Sequence, residues 1–223
     1  MKTLVYASVA LIAAAAGFII FRVGIAPRIV EDAAPPTAIA STPSSPAAQD
    51  SATEMPTRLP EFVLTDREGT PRSIRSWPGK SMIVNFWATW CAPCRREIPL
   101  LKQIQAKRGT EGFQVVGIAV DFREDVLEYA DEMEINYPLL IGEQDGLDAI
   151  AEFGLAAAGF PFTVFTDAQS HIIVTHLGEV TPKESDVLLD IIAQVNRGEL
   201  TPDAARVVAA KQLAQLDRDS PEA

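Results

Sequence analysis

The sequence predicts an α/β domain, a central mixed sheet flanked by helices with an inserted helix–strand segment, preceded by a transmembrane helix and a flexible linker. Three observations predict this arrangement. Apolar runs typical of buried strands alternate with helical periods through residues 58–197. An uncharged apolar run fills most of residues 1–24, and residues 25–57 are rich in Ala, Pro and Ser. Residues 198–223 are expected to form a helical tail.

The first segment is expected to be a single-pass membrane anchor. Thr3–Phe21 carries no charge, and its 19 residues at about 1.5 Å each nearly span a hydrocarbon core of about 30 Å. The alternative is a cleaved signal ending at Ala13–Ala16, but Phe18–Phe21 would then begin the mature protein. Residues 25–57 have few large apolar side chains to offset ordering entropy, so they are expected to be a tether. Either interpretation exports the domain, and we expect it in the periplasm or extracytoplasmic space at the cytoplasmic membrane.

The first half of the domain has the order strand, helix, strand. Ser81–Phe86 and Gln114–Val120 are apolar and β-rich, as expected for strands covered on both faces. Between them, Cys94–Lys107 repeats its apolar residues with a helical period. A further short strand is expected at Glu61–Thr65, before the turn at Asp66–Gly69. The order indicates a right-handed β-α-β crossover unit.

The second half is predicted to alternate short strands and helices. Helices are expected at Asp125–Glu134 and Asp145–Phe153, strands at Tyr137–Ile141, Phe162–Phe165 and Ile172–Thr175, and a closing helix at Pro182–Val195. A hairpin should join the last two strands at residues 167–170. Thr201 is expected to cap a final amphipathic helix that begins at Pro202 and ends near Leu216. No function follows from that tail.

Charge is concentrated in one segment. The chain has a formal net charge of −11, and Asp121–Glu152 contributes −10 from eleven acidic residues and one basic residue, Arg123. A nucleic-acid binder normally carries a basic patch, so this class of partner is not expected. A solvated surface is the simpler interpretation of the acidic segment, and docking to a basic partner is the alternative.

The two cysteines are predicted to carry redox chemistry. Cys91 and Cys94 are the only cysteines, and a bridge between them closes a loop too short to stabilise a fold. They lie where the predicted helix begins, and the helix dipole and free N–H groups there favour a thiolate. Two intervening residues allow the second cysteine to attack a mixed disulfide formed by the first. No cofactor beyond this redox-active disulfide is expected.

A zinc site and an inert pair are the other interpretations of the cysteines. Zinc would need two more ligands, and no further cysteine exists. His171 and His176 lie five apart on a predicted strand, which directs them to opposite faces. No metal site is therefore predicted.

The segment Lys80–Leu100, with the letters WCAPCRREIP, resembles the active-site region of the TlpA/ResA/CcmG (DsbE) group of thioredoxin-like proteins. The resemblance extends from about Leu59 to Gly178 and includes Tyr137-Pro138 and Gly159-Phe160-Pro161. It implies a thioredoxin-like fold, a cis peptide bond before Pro161 and an anchored or exported protein. Several members of the group reduce apocytochrome c before haem attachment. The implied partners are exported protein disulfides or thiols, with apocytochrome c among them, and an upstream membrane electron donor.

The resemblance also implies a set of site residues. The catalytic set is Cys91, Cys94, Glu97 and Pro161, and the substrate groove is Trp90, Ala92, Pro93, Phe160 and Phe162. Two positions depart from related proteins. Asn85 stands where ordinary thioredoxins have a buried Asp, and Phe162 stands where the group has a small or hydroxyl residue. Trp87 is expected in the core, and Arg95 and Arg96 are expected on a solvated helix face.

Glu97 is expected to take the proton of Cys94. It lies one turn beyond Cys94 on the predicted helix, within reach of the sulfur directly or through one water. Because Asn85 does not titrate, the strand below offers no alternative base. The alternative is a surface carboxylate that stabilises the first turn of the helix.

The predicted function is that of a thiol–disulfide oxidoreductase acting as a reductant, in cytochrome c maturation as one setting. The alternatives are a broader oxidant or isomerase and a non-catalytic redox-sensing module. A peroxidase would need a Thr-x-x-Cys setting, whereas Ala88 stands three residues before Cys91. Ala92 and Pro93 alone do not fix the direction of electron flow, because the redox potential depends on the stability of both states.

Overall fold

The computed structural model describes residues 55–155 and 159–219. The predicted anchor and nearly all of the predicted linker lie outside these residues. Within the described ranges, no helix combines the length and apolar character needed to cross a bilayer.

The described chain contains seven strands and five α-helices, with bounds close to those predicted. The strands are β1 (Val63–Asp66), β2 (Pro71–Ser73), β3 (Ser81–Trp87), β4 (Phe113–Ala119), β5 (Leu139–Ile141), β6 (Phe162–Thr166) and β7 (Ile172–Leu177). The helices are α1 (Ala92–Arg108), α2 (Arg123–Glu132), α3 (Gln144–Ala151), α4 (Pro182–Asn196) and α5 (Pro202–Asp219).

All seven strands form one mixed sheet in the order β2-β1-β5-β4-β3-β6-β7. The central strands β3, β4 and β5 are parallel, and β6 runs antiparallel to β3. This confirms the predicted mixed sheet and the β-α-β unit β3-α1-β4. The polar strand β2, which no hydrophobic period marks, was not predicted.

Alternation along β3 separates two hydrophobic layers. Ile83 and Trp87 face the layer that contains α1, α2, α4 and α5, whereas Val84 and Phe86 face the layer that contains α3. Asn85 lies between Ile83 and Trp87 in the strand, so it faces α1. A polar side chain is thereby placed directly beneath the helix that carries the cysteines.

The C-terminal helix α5 packs onto the domain. Ala205 and Ala209 are fully buried, and Nε of Arg206 donates to the carbonyl oxygen of Ile172 over 2.7 Å. The Thr201 hydroxyl accepts the N–H of Ala204, which confirms the predicted cap. The helix continues to Asp219, beyond the predicted end near Leu216.

Candidate active site

The two cysteines lie at the start of α1 and are joined by a disulfide, with their Cα atoms 5.3 Å apart. Cys91 is the N-cap residue, and its sulfur accepts the N–H of Cys94 over 3.3 Å. Both cysteines are buried in this oxidised state. Cys91 is 5% exposed and Cys94 1%, because the bond draws the first sulfur towards a partner that packs in the core.

The loop before Cys91 is held by a carboxylate from the end of β4. Asp121 Oδ2 accepts the backbone N–H of Thr89 over 3.0 Å and its hydroxyl over 2.5 Å. Asp121 Oδ1 accepts the N–H of Phe122 over 2.9 Å. Since β3 and β4 are parallel neighbours, their carboxyl ends meet at one sheet edge. The buried Asp121 side chain therefore holds the backbone at Thr89, which precedes Trp90, and at Phe122.

Pro161 follows a cis peptide bond from Phe160, as predicted. The side chain of Pro161 is buried, and its carbonyl oxygen accepts the N–H of Gly178 over 2.8 Å. The Phe160 ring meets the Trp90 ring edge-on, with centroids 5.8 Å apart. The loop before β6 and the CxxC segment are thus in direct contact.

An apolar groove of about 400 Å³ opens beside Trp90, the residue before Cys91. Trp90 is 67% exposed and Phe122 59%, and Val120, Leu147 of α3 and Phe160 complete the apolar lining of the groove. Asp121, Glu143 and Gln144 supply polar groups to the same groove. An exposed apolar surface with an acidic rim is suited to a polypeptide that carries apolar and basic side chains.

The other residues predicted to line the substrate groove lie in different environments. Ala92 is exposed and Pro93 is half-buried, in keeping with a place at the rim of the site. The prediction for Phe162 is wrong. Its side chain is 2% exposed and packs in the opposite layer, with its ring 5.6 Å from Phe86 and 5.7 Å from Phe153. Alternation along β6 turns Phe162 away from the sheet face that packs against α1, while Thr163 lies on that face beside Asn85.

Glu97 is buried on the inner face of α1, so the interpretation as a surface carboxylate is wrong. Its Oε2 accepts from Asn85 Nδ2 over 2.7 Å, and its Oε1 accepts the N–H of Val180 over 3.0 Å. Burial raises the pKa of Glu97 to about 7, although the hydrogen bonds from Val180 and Asn85 oppose that shift. A carboxyl group that gains and loses its proton near neutral pH suits general acid–base chemistry.

The tryptophan and arginine expectations are confirmed. Trp87 is fully buried, whereas Trp90 is exposed at the rim. Arg95 and Arg96 are exposed, and Arg96 forms an ion pair with Glu179 over 2.6 Å.

The two histidines have different neighbours. His171 Nδ1 lies 2.7 Å from Asp167 Oδ2, and its Nε2 lies 2.9 Å from an Arg58 nitrogen. His176 instead pairs with Thr163 across β6 and β7. Over residues 55–155 and 159–219, no group of three or more potential ligands is arranged to hold a metal ion.

The groove-lining residues Val120, Phe122, Glu143 and Gln144 were not predicted as site residues, and three further residues were also missed. They are Thr163, which lies beside Asn85, Asp121, which holds the loop, and Leu147, which lines the groove. Asp121 had a usable signal, since it follows β4 at the edge where Trp90 follows β3. The other two come from elements whose approach to the cysteines depends on tertiary packing.

Comparisons with known proteins agree with this geometry. Residues 56–181 match the family described as AhpC/TSA. The chain is 32% identical to thioredoxin-like protein YneN of Bacillus subtilis, over 60% of this chain and 78% of that protein. It is 27% identical to thiol-disulfide oxidoreductase ResA of Halalkalibacterium halodurans, over 59% and 73%. A solved thiol:disulfide interchange protein of the thioredoxin family from Chlorobium tepidum has a TM-score of 0.51 and 32% identity, covering 64% of this chain and 92% of that one.

Proposed function

Since the chain belongs to the AhpC/TSA family and is a thiol–disulfide oxidoreductase, we propose that it reduces disulfides of exported polypeptides through Cys91 and Cys94. One observation carries the proposal. The two cysteines are joined at the start of α1, beside an exposed groove and above a buried carboxyl group whose pKa is about 7. The arrangement supplies a nucleophile, a surface for substrate and a proton acceptor.

The reaction follows from these positions. The Cys91 thiolate attacks one sulfur of a substrate disulfide, forms a mixed disulfide and releases the other substrate sulfur as a thiolate. Glu97 accepts the proton of Cys94, directly or through one water. The Cys94 thiolate then attacks the sulfur of Cys91 and releases the second substrate sulfur. The substrate gains two electrons, and the protein is left with the Cys91–Cys94 disulfide.

The apolar groove is proposed to hold the chain that flanks the target cysteine. Its occupant is an extended polypeptide with an apolar residue between Trp90 and Phe122 and a basic residue near Glu143. Charge supports this occupant, because ten of the eleven acidic residues between Asp121 and Glu152 are exposed. Apocytochrome c is a proposed substrate of this kind.

Continued turnover requires a donor that returns two electrons to the disulfide. We propose a membrane dithiol protein in this role, with the domain held on the extracytoplasmic side by residues 1–24. Detection of Cys91 and Cys94 as free thiols in cells would support this direction of electron flow.

The decisive experiment measures the reduction potential of Cys91–Cys94 together with the thiol state of both cysteines in growing cells. A reductant should have a potential well below that of oxidants of exported proteins, and most molecules should carry free thiols in vivo. A largely oxidised pair with a high potential would instead indicate an oxidant. An insulin-reduction assay separates both from a non-catalytic sensor, which would show no turnover.

A further inference from the structure

Asn85 occupies the position from which a side chain can control Glu97. It is 1% exposed and lies in the middle of β3, and its Nδ2 donates to Glu97 Oε2 over 2.7 Å and to Thr163 Oγ1 over 2.9 Å. Its Oδ1 is buried and has no hydrogen-bond partner among the described residues. The amide therefore uses both N–H groups on this cluster and leaves its acceptor unused. A buried amide held in this orientation favours an acceptor, the ionised carboxylate, at position 97.

The hydrogen bonds around Glu97 suit one carboxyl group and one amide. Glu97 Oε1 accepts from the N–H of Val180, and Oε2 accepts from Asn85. The Thr163 hydroxyl lowers the pKa of Glu97 through a further hydrogen bond, against the larger effect of burial. Two carboxyl groups at these positions would repel when both are ionised, and two amides would leave no group to accept a proton.

Other titratable groups surround the pair from the neighbouring elements. Glu179 raises the pKa of Glu97 by its charge, and Arg96 pairs with that carboxylate at the surface. Tyr137, before β5, is buried, and its pKa is raised by burial and by the charge of Glu97. His176 lies opposite Thr163 on β7. Asn85, which carries no charge, is different from these groups because its side chain donates a hydrogen bond of 2.7 Å directly to Glu97.

We infer that Asn85 is a positioning residue for the resolving step, and that Asn85 and Glu97 act as a carboxyl–amide unit whose two members can be exchanged. The inference rests on the proposed proton-accepting role of Glu97. The exchange is possible because the hydrogen bond between positions 85 and 97 can be made in reverse, while the Val180 N–H still finds an acceptor at position 97. In the double variant that combines Asn85→Asp with Glu97→Gln, the oxygen of the new amide at position 97 accepts from Val180. The nitrogen of that amide donates to the new carboxylate at position 85, which also accepts from the Thr163 hydroxyl.

The test measures the resolving step in the reduced full-length protein. Ellman's reagent forms a mixed disulfide with the more accessible Cys91, and attack by Cys94 then releases a second coloured thiolate whose rate is followed against pH. Glu97→Gln should slow this release at neutral pH by about tenfold or more, because general-base assistance is lost. The exchanged double variant should recover the rate to within a few-fold of wild type. Asn85→Asp alone should move the pH dependence upward by at least about one pH unit, because the two carboxyl groups share a proton.

The controls distinguish the role of Glu97 from that of Asn85. Asn196→Asp makes the same chemical change outside the site, at a residue whose side chain donates a hydrogen bond to Ser81. This variant should leave the release rate unchanged. A wild-type rate and pH profile in Glu97→Gln would remove the proposed role of Glu97 itself. If Glu97→Gln slows the release and the folded double variant is equally slow, the inference about Asn85 is overturned, whereas the proposed role of Glu97 is retained. Wild-type pH dependence in Asn85→Asp would overturn the inference about Asn85 as well.

A measurement on the unaltered protein keeps the inference testable if a variant fails to fold. The chain has three asparagines, Asn85, Asn136 and Asn196, so selective ¹⁵N labelling gives three side-chain amide signals. The Asn85 amide signals should titrate with the same midpoint as the Glu97 carboxyl carbon. The signals of Asn136 and Asn196 should not follow it. Asn85 amide signals that do not shift as Glu97 titrates would overturn the inference.

Discussion

Trp90 and Phe160 meet edge-on, with ring centroids 5.8 Å apart, and this contact joins the loop before Cys91 to the loop that carries Pro161. The two loops are 70 residues apart in sequence and lie together because β3 and β6 are paired. Phe122 and Leu147 line the other part of the same groove. The disulfide therefore lies beside a surface built from four separate segments.

The first prediction concerns the nucleophile. In the reduced protein, Cys91 should be alkylated at least about tenfold faster than Cys94, because a thiolate at a helix N-terminus is stabilised and Cys94 is more deeply buried. Mass spectrometry of partially labelled protein measures both rates. Cys94→Ala should also trap substrates as mixed disulfides on Cys91. Equal labelling of the two thiols would contradict this division of roles.

The second prediction concerns the apolar groove. Phe122→Ala should raise KM by about tenfold for a disulfide peptide with an aromatic residue beside its cysteine, since burial of one aromatic side chain contributes about 1.5–3 kcal/mol. The value of kcat should change little. Val207→Ala is the matched control, because Val207 is 70% exposed on α5. A similar rise in KM for both variants would show that the groove has no specific role.

The third prediction concerns the acidic rim. Glu143→Gln should slow reduction of a lysine-containing peptide several-fold at low ionic strength, and the difference should shrink as salt screens the interaction. Asp217→Asn, an exposed acidic residue of α5, removes the same charge elsewhere and should have little effect. The rates are measured with peptides that differ only in a Lys or Glu beside the cysteine. Equal effects on both peptides would exclude charge complementarity.

The acidic residues of α2 and of the turn that follows it allow a broader test of charge complementarity. Neutralising Glu128, Glu132 and Glu134 together should slow reduction of a basic protein partner at low salt and leave insulin reduction unchanged. Asp131 belongs to the same exposed surface but is paired with Arg67, so its replacement also removes a contact to the loop after β1. An unchanged rate with the partner would make this surface a solvated face only.

The fourth prediction concerns stability and pH. Burial raises the pKa of Glu97 from 4.5 to about 7, so the oxidised protein holds a proton there that the unfolded chain releases. The resulting stability is present below pH 4.5 and is lost as the pH rises through about 7. As the pH rises from below 4.5 to above about 7, the free energy of unfolding should therefore fall by up to about 3 kcal/mol more in wild type than in Glu97→Gln. Urea unfolding of both proteins at acidic and alkaline pH measures the difference, and parallel pH profiles would contradict it.

The fifth prediction concerns the N-terminal segment, which lies outside the described residues. Protein isolated from membranes should retain residues 2–21 and should resist extraction by alkaline carbonate, as expected for a spanning helix. Mass spectrometry of the N-terminus gives the answer directly. A mature N-terminus near Gly17 would show that the segment is a cleaved signal.

The α/β class, the β3-α1-β4 unit and the redox pair can all be predicted from the sequence. These follow from local signals: apolar strands, a helical period and two cysteines three residues apart where the helix begins. Elements with weak signals were placed less well. The strand β2 is polar, and α2 ends at Glu132, two residues before the predicted end, where Glu134 adopts a φ of 47°.

Which side chains contact one another depends on tertiary packing. Glu97 could have been a surface residue of α1, because the helical period alone does not specify what packs above each face. The pairing of β3 with β6 places Asn85 beside Thr163, and packing of α1 on that sheet face brings Glu97 to both. The same alternation turns Phe162 into the opposite layer. Contacts between residues distant in sequence depend on register and layer, and local patterns do not encode either fully.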